Sequence, residues 1–162
     1  MKKENKTNAM RILDKEKIPY TPHYYECDEF IDGVHIADML GQPYEQSFKT
    51  LVMQGKSKNY FVFVLPIAEE VDMKKASRVV GEKSLEMLHV KDIMAVTGYI
   101  RGGVTSIGMK KRYPTVIHES ALDFDTIIVS GGMLGTQIHL APKDLLKVVN
   151  GQFADIIQKP GE

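Results

Sequence analysis

Lys49 is the residue whose sequence neighbours most clearly indicate a functional role. It lies in the run Ser47–Met53, where most neighbours on both faces of a predicted strand are apolar. A lysine in such a run either extends its ammonium from an edge strand into solvent, which is the commoner arrangement, or points it into a cleft. In a cleft, desolvation would lower its pKa. The residues alone leave both interpretations open.

A glycine-rich segment, residues 98–108, is the second candidate, with four glycines in eleven residues. Backbone amides freed by glycine can bind an anion or a developing oxyanion, and they can equally serve only to make a sharp turn. Lys110, Lys111 and Arg112 follow directly. A solvated basic turn is the usual explanation for such a run, and phosphate contact is the alternative.

Other site chemistries fit the sequence poorly. The five histidines form no His-x-x-x-His pair and the single cysteine excludes Cys-x-x-Cys, so we expect neither a metal site nor a cofactor. Cys27 is flanked by carboxylates, whose charge would raise a thiol pKa, and is not predicted to be a nucleophile. Ser130 lacks the Gly-x-Ser-x-Gly elbow. It opens the segment 130–135, which predicts a hairpin loop with glycines at positive φ.

Composition predicts one cytoplasmic domain spanning residues 1–162, with frayed ends at 1–6 and 159–162. The chain has 162 residues, one cysteine, and 21 basic against 21 acidic side chains, giving a net charge of zero. A lone cysteine fits a reducing compartment, and no apolar run is long enough to indicate a signal peptide or a membrane span. Zero net charge argues against strong non-specific nucleic-acid binding.

The elements that must position these residues follow from periodicity and from helix caps. Because strands and helices do not alternate regularly, we predict a mixed α+β fold, with a barrel-like mixed sheet and surrounding helices, rather than a doubly wound sheet. The predicted helices begin after Thr7, near Ile36, after Asp72, near Val90 and at Pro142; the predicted strands cover 20–25, 48–53, 60–65, 115–118, 126–130, 136–140 and 154–157.

The order and spacing of four segments make the chain, from about residue 6 to 157, resemble the YbaK/EbsC family of bacterial Cys-tRNA(Pro) deacylases. The segments are Ile18-Pro19-Tyr20, Ser47-Phe48-Lys49-Thr50-Leu51, the glycine segment from Gly98-Tyr99 through Gly102-Gly103 to Lys110-Lys111, and Val129-Ser130-Gly131-Gly132.

The resemblance implies a domain related to the editing insertion of bacterial prolyl-tRNA synthetases. It also implies trans-editing, the removal of cysteine that prolyl-tRNA synthetase has attached to tRNA(Pro). The expected partners are the 3′ end of an aminoacyl-tRNA and the synthetase. Family members are understood to let the cysteine thiol attack its own ester. Two alternatives stay open: hydrolysis of Ala-tRNA or another small aminoacyl-tRNA by bound water, and a non-catalytic module that binds aminoacyl-tRNA or a synthetase.

The resemblance also assigns roles to individual residues. The family's essential lysine matches Lys49, its pocket tyrosine Tyr25, and its pocket serine Ser130. Its glycine-loop contact falls at Gly102, and we expect Gly103 to add a second amide. The family's loop commonly has a proline where this chain has Ser106, which leaves the loop geometry open. Since the net charge is zero, we predict weak, salt-sensitive tRNA binding, with the synthetase supplying the remaining affinity.

Overall fold

The computed structural model describes residues 6–159. The predicted frayed ends therefore lie almost wholly outside the described residues, although Lys6 is described and pairs with Asp14. Within the described range, five α-helices and eight strands follow one another without regular alternation. The helices are α1 (Asn8–Lys15), α2 (Gly33–Leu40), α3 (Met73–Val80), α4 (Ile93–Thr97) and α5 (Pro142–Val149). The strands are β1 (Thr21–Tyr24), β2 (Phe48–Gly55), β3 (Tyr60–Pro66), β4 (Leu85–Met87), β5 (Thr115–His118), β6 (Ile127–Ser130), β7 (Thr136–Leu140) and β8 (Gln152–Ala154).

Two sheets join into the predicted barrel-like arrangement. A five-stranded sheet has the order β4-β2-β3-β5-β8, and a three-stranded sheet has the order β1-β7-β6. The larger sheet is mixed, because β2 pairs antiparallel with β3 while β5 pairs parallel with β3 and β8. The sheets meet where Ser47, just before β2, bridges Ile128 of β6. The mixed α+β prediction is confirmed.

Two predicted N-caps, Thr7 and Asp72, are confirmed, whereas α2 begins at Gly33 rather than near Ile36 and α4 begins at Ile93 after a 3₁₀ turn at Val90–Asp92. The Thr7 side chain accepts a hydrogen bond from the Met10 N–H at 3.2 Å and begins α1. The Asp72 side chain accepts from two backbone N–H groups and begins α3, which ends at Gly81 with φ 75°. The sequence predicts that Gly151 closes the last helix, but Asn150 adopts the left-handed conformation at the end of α5, with φ 52°. Asparagine tolerates this region better than most residues do.

The longest apolar run in the sequence forms strand β3. Val62 and Val64 face a cluster that includes α1 and α5, while Phe61, Phe63 and Leu65 face a second cluster that includes Ala76 of α3. Helices therefore cover both faces of the five-stranded sheet, and β3 is buried on both sides.

Three short elements differ from the sequence prediction. Strand β4 and a 3₁₀ turn at Glu119–Asp123 were not predicted, because three to five residues carry too little periodicity. The last strand is Gln152–Ala154, not 154–157; Ile157 forms only an isolated bridge with Val71. No helix within residues 6–159 is long and apolar enough to cross a membrane.

Candidate active site

A cavity of about 380 Å³ lies beside the open edge of β2. Strand β4 pairs with β2 only from Met53 to Gly55. Among the described residues, the first half of β2 forms no strand ladder on that side, and only Ser47 just before it bridges Ile128 of β6. We call this space the Lys49 cavity; its lining comes from both sheets, the start of α2, the segment 87–93 and the glycine segment. Its polar and charged lining residues are Tyr25, Asp32, Gln42, Ser47, Lys49, Thr50, Arg101, Ser130, Thr136 and Gln137.

Lys49 is half-buried and lines this cavity, which favours the cleft interpretation over the solvent-directed one. No residue within the described range forms a hydrogen bond or an ion pair with its ammonium. Desolvation lowers the pKa of Lys49 below its usual value, and the carboxylates of Glu70 and Glu69 partly oppose that shift. The cavity thus holds a cation whose charge no described side chain neutralises in direct contact.

Tyr25 and Ser130 approach the cavity from the three-stranded sheet. Tyr25 directly follows β1, where its N–H donates to the Gly135 carbonyl at 2.9 Å, and desolvation raises the pKa of its phenol. Ser130 ends β6 opposite Gln137 of β7, and its hydroxyl oxygen accepts from the Gly132 N–H at 3.3 Å. The hairpin loop after Ser130 has positive φ at Gly132 and Gly135, as predicted.

The two glycines of the predicted oxyanion site have different surroundings. Gly102 lines the cavity at φ 88°, where an added Cβ would lie 2.6 Å from Leu134 Cδ2 and 3.1 Å from Phe30 Cδ1. Its N–H has no hydrogen-bond partner among residues 6–159. Gly103 is buried outside the cavity lining, and its N–H donates to the Ile100 carbonyl at 2.9 Å. The Gly103 amide is therefore occupied by a turn, and the expectation that it receives an oxyanion is not supported by this geometry.

Sequence reasoning missed several cavity residues. Gln42 and Gln137 exchange reciprocal amide hydrogen bonds of 2.7 and 3.1 Å, although 95 positions separate them. At the mouth, the Arg101 guanidinium lies 4.0 Å from the centre of the Phe30 ring, a cation–π distance. Gln42 and Gln137 carry no local signal, since only the fold brings them together. Arg101 lies inside the glycine segment, which could have drawn attention to it.

Asp32 is the one carboxylate among the described residues that line the cavity. It caps α2 and accepts hydrogen bonds from the His35 N–H at 2.9 Å and from the His35 ring. The bond from the His35 N–H is the largest cause that lowers the pKa of Asp32. Within residues 6–159, no three His, Cys, Asp or Glu side chains are grouped as metal ligands would be. The cavity lining described here includes neither cysteine nor histidine.

The chain belongs to the aminoacyl-tRNA editing domain family, whose model matches residues 34–148. Strand β2, the glycine segment and Ser130, which converge on the Lys49 cavity, all fall within the matched region. The predicted family resemblance is thereby confirmed.

The chain is also similar to individual proteins, over different shares of its length. The chain is 45% identical, over 159 residues, to an Enterococcus faecalis protein provisionally named Cys-tRNA(Pro)/Cys-tRNA(Cys) deacylase EbsC, covering 98% of this chain and 97% of that protein. It is 26% identical over 107 residues to a proline–tRNA ligase of Fervidobacterium nodosum, and this match spans 18% of the ligase. A solved structure provisionally described as a trans-editing enzyme for prolyl-tRNA synthetase shares the fold, with a TM-score of 0.79, 22% identity, and coverage of 96% of this chain and 100% of that one.

Proposed function

We propose that this protein is a trans-editing deacylase that releases cysteine from mischarged Cys-tRNA(Pro). The observation that carries the proposal is the partly desolvated ammonium of Lys49, which has no partner among residues 6–159 and belongs to a residue lining the same cavity as Gly102 and Ser130. An ester carbonyl and the ribose or phosphate oxygens next to it are suitable partners for such a cation. The 45% identity to a protein provisionally named as a Cys-tRNA deacylase supports this substrate class.

The nucleophile in this proposal comes from the substrate. The described cavity lining contains no cysteine, and no histidine that could activate a hydroxyl. The cysteinyl sulfur attacks its own carbonyl carbon; the new C–S bond forms as the C–O bond to the ribose breaks. The thiol proton ends on the ribose oxygen, which leaves as a hydroxyl. The thiolactone then takes up water and opens to free cysteine.

The protein orients the ester and stabilises its charge in this scheme. Lys49 binds the ribose or phosphate oxygens, or the carbonyl. The N–H of Gly102, which has no partner in the described part of the chain, receives the oxyanion. Removing one such donor typically lowers the rate by about 10²–10³-fold. Tyr25 and Ser130 hold the substrate amino group and shape the pocket. Positioning the thiol against the carbonyl supplies further rate, because attack within one molecule avoids the loss of translational entropy.

Comparing Cys-tRNA with Ser-tRNA tests thiol assistance directly. Serine is nearly isosteric with cysteine, but its hydroxyl is a far weaker nucleophile. In single-turnover assays on the same tRNA(Pro), we expect cysteine to be released much faster than serine. Equal rates would contradict thiol assistance and assign the attack to bound water. A preference for Ala-tRNA would replace the substrate assignment, and no release from any mischarged tRNA would leave a binding module.

We further propose that prolyl-tRNA synthetase is the partner and that the protein acts in the cytoplasm. Its match to part of a proline–tRNA ligase supports a connection with that enzyme, and zero net charge fits a protein that relies on another for tRNA affinity. Co-sedimentation of the two proteins with and without tRNA(Pro) tests the partnership. Failure of the two proteins to co-sediment, both with and without tRNA(Pro), would contradict it.

A further inference from the structure

A second cavity, of about 290 Å³, lies at the far end of the glycine segment. Its lining includes Lys110, Lys111 and Arg112, together with Ser106 and residues of α1 and α5. No carboxylate is among the described residues that line it. We call this space the Lys110 cleft. Ser106, the position at which the family commonly has proline, lines this cleft and not the Lys49 cavity.

The three cations are exposed, and none forms an ion pair with another residue between 6 and 159. The backbone that carries them is nevertheless held in place. The Lys110 N–H donates to the Thr97 carbonyl at 3.2 Å, and the Tyr113 hydroxyl donates to the Val96 carbonyl at 2.7 Å. The cleft therefore presents three consecutive positive charges from an anchored loop, with no described carboxylate paired to them.

One continuous segment connects this cleft with the Lys49 cavity. Gly102 lines the Lys49 cavity, and Lys110 follows it by eight positions. Eight residues span at most about 29 Å even when fully extended. One strand of a nucleic-acid duplex carries a phosphate about every 3.4 Å along its axis. A strand whose 3′ end occupies the Lys49 cavity thus needs only about eight nucleotides to cover that span.

We propose that the Lys110 cleft binds phosphates of the RNA strand that leads to the aminoacylated 3′ end. This inference rests on the proposed function, which places an RNA polyanion at the neighbouring cavity. The three charges would contribute affinity that does not depend on sequence, while the Lys49 cavity selects the ester. An anionic surface of a protein partner is the competing occupant, and the experiment below separates the two.

The test compares two variants that remove the same charge from opposite sides of the five-stranded sheet. Lys111→Ala with Arg112→Ala alters the cleft, and Lys74→Ala with Arg78→Ala alters exposed positions of α3, on the other face. Binding of uncharged tRNA(Pro) is measured across a salt series. Each lost phosphate contact lowers the slope of log K against log salt by about 0.7–0.9. We expect the cleft variant to reduce the slope by about 1.5 and the α3 variant to leave it nearly unchanged.

The second measurement uses two ester substrates, Cys-tRNA(Pro) and cysteinyl-adenosine. The cleft variant should lower kcat/KM on the tRNA about tenfold, and leave the rate on the adenosine ester unchanged, because the ester lacks the phosphates in question. The charge-conserving change Lys111→Arg with Arg112→Lys should retain both the slope and the rate.

Several outcomes would overturn the proposal: an unchanged salt slope, an equal loss in the α3 variant, or no tRNA binding by the unaltered protein. Weaker binding of prolyl-tRNA synthetase with an unchanged tRNA slope would assign the cleft to a protein surface. If the proposed function is wrong, the result differs: the unaltered protein releases no cysteine from Cys-tRNA(Pro), but it still binds uncharged tRNA.

Discussion

Lys49, on β2 of the five-stranded sheet, and Lys75, on α3, are both partly buried lysines, but their ammonium groups have different surroundings. The Lys75 side chain is 22% exposed and donates hydrogen bonds to Asp155 Oδ2 at 2.9 Å and to the Ile157 carbonyl at 3.0 Å. The ammonium of Lys49 has no such partner among the described residues. Lys75 therefore fastens α3 to the segment after β8, whereas Lys49 leaves its charge available.

The difference separates a structural lysine from a functional one. A partly buried charge with a partner tolerates its desolvation, because the partner replaces much of the lost hydration. Without a partner, the charge raises the free energy of the empty protein, as the lowered pKa of Lys49 indicates. An anionic or carbonyl oxygen of a bound substrate would then act as the missing partner. The two lysines should accordingly affect different measurements.

The largest expected effect is on catalysis. We expect Lys49→Met to lower cysteine release from Cys-tRNA(Pro) by about 10²–10³-fold, because it removes a charge that binds substrate oxygens. The melting temperature should not fall, since methionine retains the apolar stem and lacks the desolvated charge. Single-turnover deacylation and thermal melts check the two expectations. Retained activity would remove Lys49 from the mechanism and end its contrast with Lys75.

The reciprocal change, Lys75→Met, should affect stability instead. It leaves the Asp155 carboxylate without its ammonium, and we expect a loss of about 1–2 kcal/mol in the free energy of unfolding, because the pair is only partly buried. Urea denaturation measures this loss. Activity below the transition should stay within about twofold of the unaltered protein. A large fall in kcat with intact folding would show that Lys75, too, serves the active site.

Two glycines test the same two regions through the backbone. Gly102 in the Lys49 cavity and Gly81 after α3 have φ values of 88° and 75°, so alanine strains either position by about 1–2 kcal/mol. At Gly81 an added Cβ would meet nothing within 4 Å, whereas at Gly102 it would meet Leu134 at 2.6 Å. We expect Gly102→Ala to lower kcat/KM by about tenfold or more beyond any effect of Gly81→Ala. Similar activities for the two variants would mean that the shape of the cavity near Gly102 does not matter.

The sequence predicted well those elements whose cause is local. The Thr7 and Asp72 caps began helices where expected, and the apolar run of β3 marked a strand that is buried on both faces. The sequence was less informative about elements that depend on residues distant along the chain. The three residues of β4 pair with the far half of β2, and this pairing leaves the edge near Lys49 open. No local sequence pattern predicts that open edge of β2.

The candidate site divides in the same way. Tyr25, Lys49, Gly102 and Ser130 could be named in advance because the family resemblance assigns a role to each, and all four line one cavity. The Gln42–Gln137 pair could not be named, since it depends on two distant segments that meet only in the fold. Gly102 and Gly103 look equivalent in sequence, but the Gly103 N–H donates within a turn, and the direction of each N–H depends on that turn.

The smallest expected effect is the pH dependence of the Lys49 contribution. A lysine whose folded pKa lies below its unfolded value destabilises the native state when charged, so its penalty is fully present at neutral pH. The penalty disappears as pH rises through the folded pKa of Lys49. In the pH window that ends near the unfolded pKa of 10.5, the unaltered protein therefore gains stability relative to a variant without the charge. Lys49→Met should therefore be more stable at pH 7 by at most about 0.5 kcal/mol, because solvent screens a half-buried charge.

Catalysis supplies an independent measure of the same ionisation. If the Lys49 ammonium binds substrate oxygens, kcat/KM should fall as pH rises through the pKa of Lys49, once uncatalysed ester hydrolysis has been subtracted. This fall should occur in the same pH range in which Lys49→Met loses its stability advantage. Urea denaturation and deacylation at matched pH values provide the two curves. Asp155→Asn serves as the control: Lys75 lowers the pKa of Asp155, so that carboxylate contributes stability above its unfolded pKa and loses it as pH falls through the folded one. Its effect therefore lies at acidic pH. The Lys49→Arg variant, if it is as stable as the unaltered protein, gives the opposing outcome, because arginine stays charged throughout this range. If its activity declined at the same alkaline pH as that of the unaltered protein, the ionisation would belong to another group.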